Sequence, residues 1–129
     1  MPVLDANGET IHYIMEGSGP VVVLIHSLGL SAKMWREQIA ALKDRYTIVA
    51  FDTRGHGQSS AKGDVSVAAV ARDLKALLDH LGVPQCHLVA ISAGGPIAMT
   101  FAAQYPAMVR SLVLADTYAQ PFEGQLEEA

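Results

Sequence analysis

Val21-Val22-Val23-Leu24-Ile25 is an unbroken run of branched apolar residues, and a strand with one face in water would not carry it. Such a strand alternates polar and apolar side chains; a run without a polar member reads as a strand covered on both faces, as in a parallel sheet flanked by helices. Tyr46 to Phe51, Cys86 to Ile91 and Arg110 to Ala115 are further apolar runs of strand length. Helical spacing lies between them. Met34 to Lys43 places Trp35, Ile39 and Leu42 on one face. Ser66 to Leu81 repeats Val67, Val70, Leu74, Leu77, Leu78 and Leu81 at three and four, and Pro96 to Gln104 is small and apolar. Strands alternating with helices predict a mostly parallel, doubly wound α/β sheet.

The ends of these elements carry matching signals. Met1 to Asp5 and Thr10 to Glu16 flank Ala6-Asn7-Gly8, a hairpin signature, and Gly17 to Pro20 breaks the chain before the first buried strand. Asp64 or Ser66 can cap the second helix, and Gly82 with Pro84 stops it. From Asp116 onward the chain is polar and acidic. No internal repeat or domain boundary interrupts the 129 residues, so a single domain is expected.

Half of the residues are apolar, which places the chain among globular proteins. A net charge of -4 without a basic run argues against nucleic acid as partner. No charged leader precedes an apolar segment, and no apolar stretch has the length of a membrane span, so neither secretion nor a membrane is expected. The one cysteine, Cys86, excludes an internal disulfide and fits a reducing compartment, hence the cytoplasm. At the start of a strand and without a CxxC partner, it reads as a small buried side chain.

The stretch CHLVAISAGGPIAMTFAAQ, Cys86 to Gln104, passes from strand to helix through Ser92. A side chain at such a corner sits on strained backbone, and its neighbours two positions away must be small enough for adjacent chain to approach. Here those neighbours are Ala90 and Gly94, so the pattern is A-x-S-x-G where a nucleophile elbow is usually G-x-S-x-G. The plainer reading of Ser92 is a helix cap.

In a doubly wound sheet, ligands gather at the carboxyl ends of the strands, where the loops beginning at His26, Asp52 and Ser92 emerge. The loop DTRGHGQSS holds Asp52, Arg54 and His56 close together, yet its glycines and polar side chains read as a tight, self-bonded turn. His12 alternates outward on a hairpin strand, His80 ends a helix and His87 lies at the opposite edge of the sheet. None of the three suits catalysis.

The ordered motifs IHSLGLSAKMW, FDTRGHGQS, LVAISAGGPIA and LVLADT resemble the N-terminal half of α/β-hydrolases, most of all the 3-oxoadipate enol-lactonase group and related esterases. The resemblance implies Ser92 as nucleophile and the backbone amides of Leu28 and Ala93 as the oxyanion hole, with Ser27 as a loop hydrogen-bonding group. It implies a small ester or lactone substrate hydrolysed through an acyl-enzyme, with no organic cofactor and no metal. Dehalogenase-like or haloperoxidase-like chemistry is the neighbouring possibility. In the family the acid and the histidine base follow the seventh and eighth strands, whereas this sequence offers about six strands. The expectation is therefore a sheet lacking its C-terminal strands: a truncated product, one half of a split enzyme or a shortened chain. A substitute relay would have to use His26 and Asp116. The unpaired sheet edge predicts a homo-oligomer or a missing C-terminal half, and the rival reading is a non-catalytic, self-associating module.

Overall fold

Asn7 and Gly8 take φ values of +52° and +84°, the left-handed pair that closes a two-residue hairpin with the twist of its strands. They join β1, Val3–Ala6, to β2, Glu9–Gly17, in the computed structural model, which describes residues 2–63 and 65–117. The remaining elements are β3 (Val21–Ile25), a 3₁₀ turn over Ala32–Trp35 leading into α1 (Arg36–Leu42), β4 (Thr47–Phe51), α2 (Val67–His80), β5 (Cys86–Ile91), α3 (Gly94–Gln104) and β6 (Val109–Ala115).

The six strands form one sheet in the order β1-β2-β4-β3-β5-β6. Its hairpin side is antiparallel, while β4, β3, β5 and β6 run parallel to one another. The run at Val21–Ile25 explains the layering. Val23 and Ile25 face a cluster with Leu74, Leu77, Leu78 and Phe101 from α2 and α3. Val22 and Leu24 face the opposite cluster, with Trp35 and Ile39. Both faces of β3 are thus covered, as its composition requires.

The predicted helix over Met34–Lys43 begins earlier and tighter than expected. The Asp52 carboxylate accepts from the Ala32 N–H at 2.8 Å, and the Ser31 hydroxyl accepts from Lys33 N–H at 3.3 Å. These bonds draw the chain into the 3₁₀ turn before α1 starts. In α2, Ser66 is the cap, accepting from the Ala69 N–H at 3.2 Å, and Gly82 ends the helix region at φ +69°. The alternative cap, Asp64, lies outside the described residues, as do residues 118–129 of the polar tail.

At the far side of the sheet β6 pairs with β5, and no described strand pairs with its other edge. Val113 and Leu114 are 52 % and 38 % exposed there. Among the described residues, no helix is long and apolar enough to cross a membrane.

Candidate active site

Ser92 sits between β5 and α3 with φ +52°, a left-handed conformation that costs a non-glycine residue about 1–3 kcal/mol. Three contacts hold it. Its N–H donates to Ala115 O at 3.1 Å, its carbonyl accepts from Gly95 N–H at 3.0 Å, and the same carbonyl accepts from the Thr117 hydroxyl. Helix α3 has Ala93 as its N-cap and no side-chain cap bond. Ser92 is therefore not the capping side chain that the plainer sequence reading allowed. No described residue hydrogen-bonds to its hydroxyl.

The small neighbours are each explained by what lies beside them. A Cβ at Gly94 would come within 2.9 Å of Ile25 O and 3.0 Å of His26 O, closer than real Cβ atoms approach backbone. Ala90 is fully buried, level with Ile25 of β3 and Leu114 of β6. One methyl fits there, so the elbow forms with alanine in the usual glycine position.

The turn after β3 runs from Ser27 to Leu30, closed by Leu30 N–H to Ser27 O at 3.2 Å with Gly29 at φ +79°. Leu28 lies in this turn and is 74 % exposed. Leu28 and Ala93, the two residues expected to donate to an oxyanion, line one cavity of about 220 Å³. Its walls include the apolar side chains of Val65, Val67, Val70, Pro96 and Ile97, with Thr53 and His56 supplying polar groups. The Ser27 hydroxyl makes only a long contact to Met34 Sδ, at 4.0 Å.

His26 corrects one expectation. Its Nδ1 lies 2.8 Å from Ser27 O, and a carbonyl can only accept, so Nδ1 carries the proton. Nε2 is then an acceptor, and it receives Thr53 N–H at 3.0 Å. Burial, together with the nearby His56, pushes the imidazole below its ordinary value, against the opposing pull of Ser27 O and Asp52. A neutral ring with both nitrogens bonded to backbone is a loop fastener and leaves no acceptor for Ser92. Asp116, at φ +46° and exposed, has no described partner for its carboxylate. The substitute relay of Ser92, His26 and Asp116 is not assembled.

The DTRGHG loop is held as its composition suggested. Asp52 accepts from Ala32 N–H and from Gln58 N–H at 2.9 Å, and a Cβ at Gly57 would run into its carboxylate. The Arg54 guanidinium makes a two-point contact with Asp73 at 2.7 and 2.8 Å, and lies 3.8 Å from Glu9. Glu9 also accepts from the backbone of Lys62 and Gly63 and from Ser60, which hold its carboxyl down to about 2. This buried cluster was not foreseen. Its visible signal is Asp73, which stands between Val70 and Leu74 on the apolar stripe of α2. Thr53 Oγ1 lies between His26 Nε2 and His56 Nδ1, at 3.2 and 3.0 Å.

The other histidines stand apart. His12 alternates outward between buried Ile11 and Tyr13 but is only half-exposed, and its Nδ1 is buried without a described partner. His80 ends α2, and His87 pairs with Ser111 at 2.6 Å. Cys86 is buried, which raises its thiol to about 11 and leaves it unreactive.

A family model described as alpha/beta hydrolase fold matches residues 20–128. The chain is 35 % identical to 3-oxoadipate enol-lactonase 2 of Acinetobacter baylyi over 98 % of its own length and 48 % of the relative's. It is 38 % identical to the putative carbamate hydrolase RutD of Variovorax paradoxus over 86 % and 44 % of the two chains. The crystal structure of the enol-lactonase from Burkholderia xenovorans superposes with a TM-score of 0.87 at 32 % identity, covering 92 % of this chain and 48 % of that one. The chain thus spans about half the length of these relatives. With its strand order, its strained serine corner and a match over most of its residues, this chain belongs to the alpha/beta hydrolase fold family.

Proposed function

We propose that Ser92 is the nucleophile of a hydrolase acting on small carboxylic esters or lactones. The observation that carries this reading is the Ser92 corner itself: a non-glycine residue at φ +52°, braced through its backbone while no described group engages its hydroxyl. Strain of this kind persists where surrounding structure over-determines it, as at reaction centres. The serine hydroxyl would attack the substrate carbonyl, the oxyanion would lie between the Leu28 and Ala93 amides, and water would release the acid from the acyl-enzyme. The apolar wall formed by Val70, Pro96 and Ile97 suits an uncharged hydrocarbon portion of the substrate.

The proton acceptor is placed outside the described residues: His26 is fully bonded, His12, His80 and His87 lie away from the cavity, and His56, which lines it, has no described hydrogen bond to Ser92. Relatives about twice as long supply room for it. Labelling with a fluorophosphonate, read by intact mass, tests the assignment. A single adduct that vanishes in Ser92→Ala supports it; an adduct that persists in the variant overturns it.

The exposed edge of β6, with Val113 and Leu114, favours a second reading for the chain on its own: a self-associating module without turnover. Assembly growing with concentration in light scattering, together with no adduct on Ser92, would decide for it.

A further inference from the structure

The Ser92 carbonyl and the Ala93 N–H are two ends of one peptide unit. The backbone bonds in the described chain are all trans, and a peptide is planar, so its N–H points away from its C=O. Whatever fixes the Ser92 oxygen therefore aims the Ala93 amide. Two donors converge on that oxygen: Gly95 N–H at 3.0 Å, from the first turn of α3, and the hydroxyl of Thr117, from beyond the end of β6.

Thr117 reaches the elbow because the chain reverses beside it. Asp116 adopts φ +46° immediately after β6, an unfavourable conformation for a non-glycine residue. Ala115 O, just before it, accepts the Ser92 N–H at 3.1 Å. Ser92 and Asp116 are thus two left-handed residues at adjacent strand ends, and Ala115 and Thr117, on either side of Asp116, take the N–H and the C=O of the nucleophile. Gly95 completes the fit, since a Cβ there would run into the Thr117 side chain. A glycine inside a helix is otherwise costly, and here, in the first turn of α3, it makes room for a particular neighbour.

We propose that Thr117 is a positioning residue for the oxyanion donor: it holds the Ser92–Ala93 peptide in plane and polarises it, so that the Ala93 N–H is aimed and strengthened before substrate arrives. A hydrogen bond to a peptide oxygen draws electron density from the nitrogen and makes the N–H a better donor, the cooperative effect of linked hydrogen bonds. An amide fixed in advance stabilises developing negative charge without reorganising. The proposal rests on Ser92 being the nucleophile only for its catalytic consequence; the hydrogen bond and its effect on the Ala93 amide are measurable without turnover.

The test uses the full chain as Thr117→Val, Thr117→Ser and Gly95→Ala. Valine keeps the shape and loses the donor, serine keeps the donor, and alanine at position 95 pushes Thr117 off its seat. The first readout is the Ala93 amide resonance in a ¹H–¹⁵N spectrum. It should move in Thr117→Val and in Gly95→Ala and return toward the wild-type position in Thr117→Ser, with β3 amides unmoved. An Ala93 resonance unchanged in Thr117→Val overturns the proposal. The second readout is the rate of fluorophosphonate labelling, which should fall about tenfold in Thr117→Val, the equivalent of one net hydrogen bond, and recover in Thr117→Ser. Equal rates in wild type and Thr117→Val would also overturn it. If wild type does not label, the nucleophile assignment fails for this chain, and the Ala93 resonance alone decides whether Thr117 acts on the peptide.

Discussion

Two loops leave the carboxyl ends of the parallel strands on either side of β3 and use their residues in opposite ways. The loop after β4 holds Asp52, Arg54 and His56, three side chains of strong chemical character. Asp52 is consumed by the backbone of Ala32 and Gln58, and Arg54 by Asp73 and Glu9. The corner after β5 offers one serine among alanines and glycines, and there the backbone is bonded while no described residue engages the hydroxyl. The density of reactive residue types therefore misleads. A buried charge must be paired, so a cluster of charges within a fold reports architecture. A reactive group is recognised by strained backbone support combined with an unengaged side chain.

Substitutions on the two loops should separate stability from reactivity. Arg54→Met leaves Asp73 and Glu9 buried without their cation, and breaking such a pair costs about 3–5 kcal/mol. Urea unfolding should show that loss, and a midpoint close to wild type would mean that the cluster contributes no net stability. Ser92→Gly has the reverse profile. Glycine adopts φ +52° freely, so stability should stay within about 1 kcal/mol of wild type, on the favourable side, while fluorophosphonate labelling disappears. A Ser92→Gly chain that unfolds far more readily would show that the side chain is structural and break the contrast.

The smallest expected effect is on pH dependence. Two groups, His26 after β3 and Glu9 at the start of β2, lie below their ordinary values in the folded chain. For each, the unfolded chain binds the proton first, so stability falls as pH falls. His26 contributes fully above about its ordinary value of 6.5 and loses that contribution as pH drops below it. Glu9 contributes fully above 4.5 and loses its share as pH falls toward about 2. Urea midpoints between pH 8 and pH 3 should therefore decline in two stages, and His26→Gln should remove the upper one alone. An upper stage that survives in His26→Gln would place the titration elsewhere.

Much of this molecule is legible in its residues because it depends on local pattern. The unbroken run Val21–Ile25 demanded cover on both faces, Asn7-Gly8 demanded a hairpin, and the three-and-four repeat from Val67 demanded a helix. The small residues around Ser92 signalled a corner with close neighbours, and Ala90 proved compatible with it. Each of these follows from sterics and burial acting within a few positions of the chain.

Other features were decided only when distant segments met. The role of His26 turned on where Ser27 O and Thr53 N–H fell relative to its two nitrogens, which composition does not encode. Glu9, Arg54 and Asp73 come from a hairpin strand, a loop and a helix, and their pairing exists only once these pack together. Thr117 reads as one polar residue near the start of an acidic tail, and becomes a partner of Ser92 because Asp116 turns the chain back toward α3. The sequence by itself determined which segments could be strands, helices and corners, since those choices follow from covalent geometry and the pattern of apolar side chains. Only the tertiary structure decided which polar groups are spent on holding the fold and which are left for chemistry, because hydrogen-bond partners are assigned by proximity in space.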